Sequence, residues 1–350
     1  MRFDDAEKRR RRRSTDKLEP IRFIFEMWTS TLQNSYIPHE NVTIDEQLVP
    51  FGGKCPFQQY MPSKPAKYGI KFWTICDSKT YYVWKTQIYT GKSEGEQREV
   101  NQGKRVVLDL INGLEKSGRN ITCDNFFTSL ELLRELKEKK LSILGTIRKN
   151  KKEIPEKLLH IKGREPFSSI FAFQKSASIV SYCPKKGKNV ILLSSMHFQS
   201  EIDNSEKKKP LKILDYNSTK SGVDTMDQMV MNYTTKRKTK RWPIVIFYNM
   251  LDISALNAFI IWNHLNSGWN AGKTHRRRLF LLELGNCLIM ANKERRVSVP
   301  FEPLEESKKR KRCYACHRNK DLKTSSYCYK CSEPVCKDHS KIVCNYCKDN

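Results

Sequence analysis

A mixed α/β fold followed by a small cysteine-rich unit is what this sequence predicts, on three observations. Strand-like and helix-like segments alternate from residue 42 onward, in the order strand, strand, strand, helix, strand, helix, strand over roughly residues 40–150. The pattern breaks near residues 150–210, where lysine-rich flanks bracket further short strands, and then resumes. After Lys308 the composition changes, and seven of the twelve cysteines fall in the last 38 residues.

Each element follows from its own residues. Residues 1–20 are charged and low in complexity, and read as a solvated arm. Ile24, Met27, Trp28 and Leu32 stand at helical spacing. Residues 42–49, 68–76 and 81–89 are rich in β-branched and aromatic side chains, punctuated by Ser63-Lys64-Pro65 and Asp77-Ser78. Val106, Val107, Leu110, Ile111 and Leu114 make a helical stripe that ends near Gly118. Residues 120–124 are a short strand. Thr128-x-x-Glu131 reads as a capping box that opens a helix of Leu130, Leu133 and Leu136. Another strand covers residues 142–147. Within the interruption, residues 170–173, 179–182 and 190–194 read as strands. Residues 211–216 then predict the last core strand, and a helix starts at about Ser221. Residues 234–300 are helical and basic, and no internal repeat is present.

Charge narrows the function. Lys and Arg number 65 against 38 Asp and Glu, a net charge of +27 over 350 residues. So large an excess repels itself in the folded state, and solubility does not require it. A polyanionic partner, nucleic acid first, is the simplest reason to keep it. No secretory signal opens the chain, because the basic run from Lys8 to Arg13 has no apolar stretch behind it. Residues 242–262 approach membrane-spanning length but contain Pro243, Asn249, Asp252 and Asn257. They read as a buried helix, with no membrane partner. Unexported cysteines stay reduced, which favours metal binding over disulfides.

The cysteine tail has regular spacing: Cys313-x2-Cys316, Cys328-x2-Cys331, Cys336-x2-His339 and Cys344-x2-Cys347. Two intervening residues let both side chains of a tight turn reach one tetrahedral Zn²⁺. Four pairs supply eight ligands, hence two closed, structural sites. Spacing leaves open whether the first pair shares its metal with the second or, in a cross-brace, with the third. So short a segment has little core, and metal would supply most of its folding energy. His317 is a spare candidate that reads more readily as a surface residue.

Three basic blocks accompany the charge excess. Lys308-Lys309-Arg310-Lys311-Arg312 reads as a nuclear-import signal or a phosphate-contacting arm. Lys236, Arg237, Lys238, Lys240 and Arg241 precede Trp242, a combination suited to phosphates and an unpaired base. His275 to Arg278 repeats the theme. One such block is more often a solvated face; three together favour nucleic acid.

Three acidic segments remain: Thr43-Ile44-Asp45-Glu46-Gln47, Asn120-Ile121-Thr122-Cys123-Asp124-Asn125 and Gly222-Val223-Asp224-Thr225-Met226-Asp227-Gln228. Any single aspartate reads as a surface or capping residue. Asp45 falls on the first strand, Asp124 at the end of a later one and Asp224 near a helix start, with Asp227 one turn further on the same face. Converging hard oxygens from such ends make a Mg²⁺ site.

In this order, and with Lys64-Pro65-Ala66-Lys67-Tyr68-Gly69-Ile70-Lys71, Arg241-Trp242-Pro243 and the cysteine tail, the segments resemble the piggyBac family of DNA transposases. The resemblance implies a ribonuclease-H-like core in two parts, residues 41–150 and 211–233, around an insertion at 151–210. A helical dimerisation and DNA-binding segment at 234–307 and a cross-brace zinc unit at 308–350 follow, after a basic arm over residues 1–40. It implies Asp45, Asp124 and Asp224 as the catalytic, Mg²⁺-binding triad (two ions), with Asp227 a fourth acid. One Zn²⁺ would take Cys313, Cys316, Cys336 and His339, and a second Cys328, Cys331, Cys344 and Cys347. The implied activity is cut-and-paste strand cleavage and transfer at TTAA targets in the nucleus, by a homodimer on double-stranded transposon ends. Trp242 matches a family aromatic near the DNA end, while its pattern alone equally suits a core tryptophan at a helix start. Family members usually carry a long acidic region and much of a dimerisation half before the position of Met1. A shortened chain that keeps the acids is therefore expected to be either a working transposase or a domesticated or truncated, inactive nuclear DNA-binding protein.

Overall fold

A computed structural model of the chain describes residues 3, 16–91, 99–297 and 310–341. It divides into two units, Met1–Glu283 and Leu284–Asn350, each taken by itself.

In the first unit, helix α1 (Arg22–Asn34) precedes strands β1 (Asn41–Pro50), β2 (Gln59–Tyr60), β3 (Tyr68–Asp77) and β4 (Val83–Ile88). Then come α2 (Gln102–Leu110), β5 (Asn120–Cys123), α3 (Leu130–Glu138) and β6 (Ser142–Thr146). The short α4 (Glu156–Leu159) leads to β7 (Ser169–Gln174), β8 (Ala177–Lys185) and β9 (Lys188–Ser194). Helices α5 (Leu211–Thr219), α6 (Gly222–Asn232) and α7 (Trp242–Leu265) follow, and α8 (Arg276–Val297) begins in this unit and runs on into the second.

One nine-stranded sheet runs β2-β3-β1-β5-β6-β9-β8-β7, with β4 also on β3. The hairpin partners β1, β3 and β4 are antiparallel, whereas β1, β5 and β6 are parallel. That is the expected ribonuclease-H-like arrangement, antiparallel strands on one side of β1 and parallel ones on the other. The strands of residues 151–210 extend this sheet, because β9 pairs antiparallel with β6. Helices cover both faces, so β1 and β3 are buried along most of their lengths, and Val42, Ile44, Trp73 and Ile75 sit in the main core.

Two local expectations fail for identifiable reasons. Residues 211–216 form a helix, not the last strand: Lys212, Ile213 and Thr219 are its buried residues and fit a helical face, and Pro210 immediately precedes its first turn. The capping box is displaced by one residue. Ser129 caps α3 by accepting from the Leu132 N–H at 3.1 Å. Thr128 turns inward to donate to the Asp124 carbonyl, and Glu131 pairs with Lys104 at 2.6 Å.

Helix α7 is long and apolar enough to cross a membrane by composition, yet its polar residues seat it on the sheet. Asn257 accepts from the Val83 N–H at 3.0 Å and donates to the Val83 carbonyl at 2.9 Å, mimicking a neighbouring strand at β4. Asn249 exchanges two hydrogen bonds with Gln47. Asp252 accepts from Thr234 and from the Thr235 N–H and hydroxyl.

At the other end of β3, the fully buried Asp77 side chain accepts from the backbone N–H groups of His39, Lys79 and Thr80 and from the Tyr36 hydroxyl. Burial alone would push its carboxyl up, but these bonds together hold it below the ordinary value. Its stabilising contribution is therefore present above the unfolded value of about 3.9 and lost as pH falls through the folded one. Asp77→Ala, which orphans several donors, is expected to cost about 3 kcal/mol. Urea unfolding at neutral pH reads this, and an unchanged midpoint would refute it.

Candidate active site

The register of β1 against β5 builds the first half of the site. Asn41 pairs with Asn120 and so on to Ile44 with Cys123. One residue further along each parallel strand stand Asp45 and Asp124, side by side at the carboxyl end of β5. Backbone N–H groups orient both: Glu46 donates to Asp45 Oδ1 and Phe126 to Asp124 Oδ1, each at 2.8 Å.

Helix α6 brings the second half. A Cβ at Gly222 would lie 2.5 Å from Thr43 Oγ1 and 2.8 Å from its Cβ, so only glycine lets the helix start so near β1. Val223, Met226 and Val230 bury its inner face. Asp224 consequently lies in the first turn, beside β1, and Asp227 one turn on. Gln47 of β1 donates to Asp227 Oδ1 at 2.8 Å, and Asn249 of α7 holds Gln47 in turn.

The electrostatics tie the acids together. Burial pushes the Asp45 carboxyl up to about 8, with the charges of Glu46, Asp124 and Asp224 adding to it against the Glu46 N–H. Asp124 is raised by burial and by Glu46, and Arg148 opposes this. Asp227 is raised by burial, against the Gln47 hydrogen bond and the charge of Lys64. Asp224 is the exposed member and pairs with Lys64 at 3.1 Å. Lys71 lies 3.7 Å from the centroid of the Trp73 ring; burial lowers it, while Glu46, Asp45 and Asp124 favour its charge.

The structure therefore brings Asp45, Asp124, Asp224 and Asp227 into one electrostatic neighbourhood. Among the described residues, no three carboxylates gather their oxygens all within 4.8 Å of one another. The donor set nevertheless fits a divalent cation. Hard carboxylate oxygens, some destabilised by one another and by burial, are what a Mg²⁺ ion offsets. Sequence reasoning missed Glu46, Gln47, Lys64, Lys71 and Asn249 as members. Glu46, Gln47, Lys64 and Lys71 lie inside motifs it singled out, but their roles depend on contacts between segments remote in sequence.

The basic segment before α7 splits into two classes. Arg237, Lys238, Lys240 and Arg241 are exposed. Lys236 is half-buried and donates to the Pro50 carbonyl, and Trp242 packs edge-on against Phe57 at 5.0 Å between centroids. In the next block, Arg277 is buried over the Tyr233 ring and donates to the Met229 carbonyl.

In the second unit, Cys313, Cys316, Cys336 and His339 bring their ligating atoms all within 4.8 Å of one another. Cys316 and Cys336 sulfurs are 3.7 Å apart, and His339 Nδ1 lies 3.2, 3.5 and 3.8 Å from Cys336, Cys316 and Cys313. A tetrahedron with Zn–S bonds of about 2.3 Å has edges of about 3.8 Å, so these spacings fit one Zn²⁺. The Cys336 N–H donates to the Cys313 sulfur at 3.2 Å and is the main cause that lowers that thiol to about 6, nearer the thiolate a metal needs. Cys328 is also lowered, first by the Cys331 N–H. Cys344 and Cys347, like Lys308 and Lys309, lie outside the described residues.

Known proteins resemble the chain in sequence and in fold. The family model described as Transposase IS4 matches residues 1–259. Human PiggyBac transposable element-derived protein 3 is 26% identical over 262 residues, covering 69% of this chain and 42% of its own length. Human PiggyBac transposable element-derived protein 2 is 22% identical over 262 residues, covering 70% and 44%. The chain thus spans less than half the length of these relatives. The piggyBac transposase of a cryo-EM synaptic complex with hairpin DNA superposes with a TM-score of 0.79 at 36% identity, over 99% of this chain and 77% of that one. With a family model over most of its length and this likeness in structure, the chain belongs to the piggyBac-type family of transposases.

Proposed function

We propose that the protein cuts and joins DNA as a cut-and-paste transposase, using Asp45, Asp124 and Asp224 to hold two Mg²⁺ ions. The observation that carries this reading is the convergence of acids from β1, the end of β5 and α6, with Asp45 within reach of the charges of both Asp124 and Asp224. When bound, Mg²⁺ supplies the positive charge that activates a water or 3′-hydroxyl and stabilises the leaving oxygen of an in-line displacement. The chain supplies placement. Strand register fixes Asp45 and Asp124, the Gly222 contact fixes α6, and Gln47 fixes Asp227.

Arg237, Lys238, Lys240 and Arg241 neutralise backbone phosphates in this reading, and Trp242 frames the DNA end, leaving Lys236 to anchor the segment. The substrate is a double-stranded transposon end and a TTAA target, and the acting form is a nuclear homodimer. The tail recognises the transposon end on two Zn²⁺ ions, one on Cys313, Cys316, Cys336 and His339, the other on Cys328, Cys331, Cys344 and Cys347.

The test is cleavage of a labelled transposon-end duplex with Mg²⁺. Asp124→Ala is expected to lower the rate on the order of 10³-fold or more, the scale of removing a group aimed at developing charge. Equal rates for parent and variant would overturn the triad. A second reading, a DNA-binding protein that keeps the fold without strand transfer, is favoured by Asp224 being engaged by Lys64. It predicts duplex retention without products, identical for parent and Asp124→Ala.

A further inference from the structure

The acid cluster already contains a cation from its own chain. Lys64 donates to Asp224 Oδ1 and to the Glu46 carbonyl oxygen, each at 3.1 Å, and so bridges α6 to β1. Its side chain is 18% exposed while that of Asp224 is 64% exposed, so the lysine is committed to the site more than the acid is. It also lies within electrostatic reach of Asp45. Lys71, the other lysine near these acids, lies over Trp73 and Phe126.

Resting on the reading above, we propose that Lys64 is the resident counter-ion of the site: it holds Asp224 to β1 in the metal-free protein and gives it up when a divalent cation binds. Asp224 Oδ1 already accepts from the ammonium, and a second cation at contact distance on that carboxylate would repel it, so lysine and metal compete for the same acid. The backbone around Lys64 need not move for the exchange. Its N–H is held in a turn by the Met61 carbonyl at 3.1 Å, and Pro65 stiffens the next residue. The flexible four-carbon stem alone can withdraw the ammonium. Lys64 is thus a positioning residue for Asp224 and a competitor of the metal.

The experiment titrates Mn²⁺ into the full chain without DNA and reads free Mn²⁺ by electron paramagnetic resonance. Lys64→Gln is expected to bind Mn²⁺ about tenfold or more tightly than the parent, and Lys64→Arg within about twofold of it. In the Asp224→Asn background, Lys64→Gln should give no such gain. Unchanged or weaker Mn²⁺ binding by a folded Lys64→Gln overturns the proposal. Binding by the parent that ignores both Asp45→Asn and Asp124→Asn overturns instead the metal-site reading on which it rests. A measurement on the unaltered protein guards against misfolding of the variant. Amine labelling read by mass spectrometry should rise at Lys64 when Mn²⁺ is added and stay level at Lys71. A fall or no change at Lys64 overturns the proposal.

Discussion

Asp45→Asn is expected to leave the protein inert in strand cleavage and, without divalent metal at pH 8, more stable than the parent. Burial and the charges of Glu46, Asp124 and Asp224 push the folded carboxyl up to about 8, whereas an unfolded Asp titrates near 3.9. Between those values the folded state binds the extra proton, so the parent loses stability as pH rises from about 4 toward 8. Asparagine cannot ionise and removes that slope. The variant should melt about 5 °C above the parent at pH 8, with the gap closing toward pH 4. Adding Mn²⁺ should also narrow the gap, because the cation stabilises only the folded form that can bind it. A variant that melts below the parent at pH 8 would mean the carboxylate is stabilised where it stands. Such a result would remove the electrostatic argument for the site.

Cys336→Ser should have the other large effect, confined to the tail. Among the described residues of their unit, Cys313 and Cys336 are the buried side chains, so a bound metal would take the place of a core. Structural Zn²⁺ contributes on the order of 10 kcal/mol or more to folding such segments. The variant should lose about one zinc per chain by elemental analysis and bind a transposon-end duplex at least about tenfold more weakly. Cys287→Ser, at an exposed position outside the cluster, should keep its zinc. Full zinc content in Cys336→Ser would refute the assignment.

Much of this architecture is legible in the sequence because burial writes itself as periodicity. The stripe from Val106 to Leu114 and the β-branched run 42–49 mark α2 and β1 within a few residues, and the regular cysteine pairs mark the tail. Residues 211–216 mislead because an apolar run that short fits either period, and only packing decides. The capping box misleads because Thr128 has a tertiary partner, the Asp124 carbonyl, that spacing cannot show. The acids are recognisable as motifs, but the parts that tune them are not. Lys64 meets Asp224 across 160 positions and Gln47 meets Asn249 across 202, and no local pattern records such pairs.

Helix α7 supports both the acid-bearing helix α6 and the segment that follows it. Asp252 fastens Thr234 and Thr235, just ahead of the exposed cations, and one turn earlier Asn249 grips the Gln47 that grips Asp227. Trp28 and Val83 clamp the same rod through Ser254 and Asn257. The segment ahead of the exposed cations and one acid of the site therefore hang from the same face of one helix, at Asp252 and Asn249, so the two share a single support.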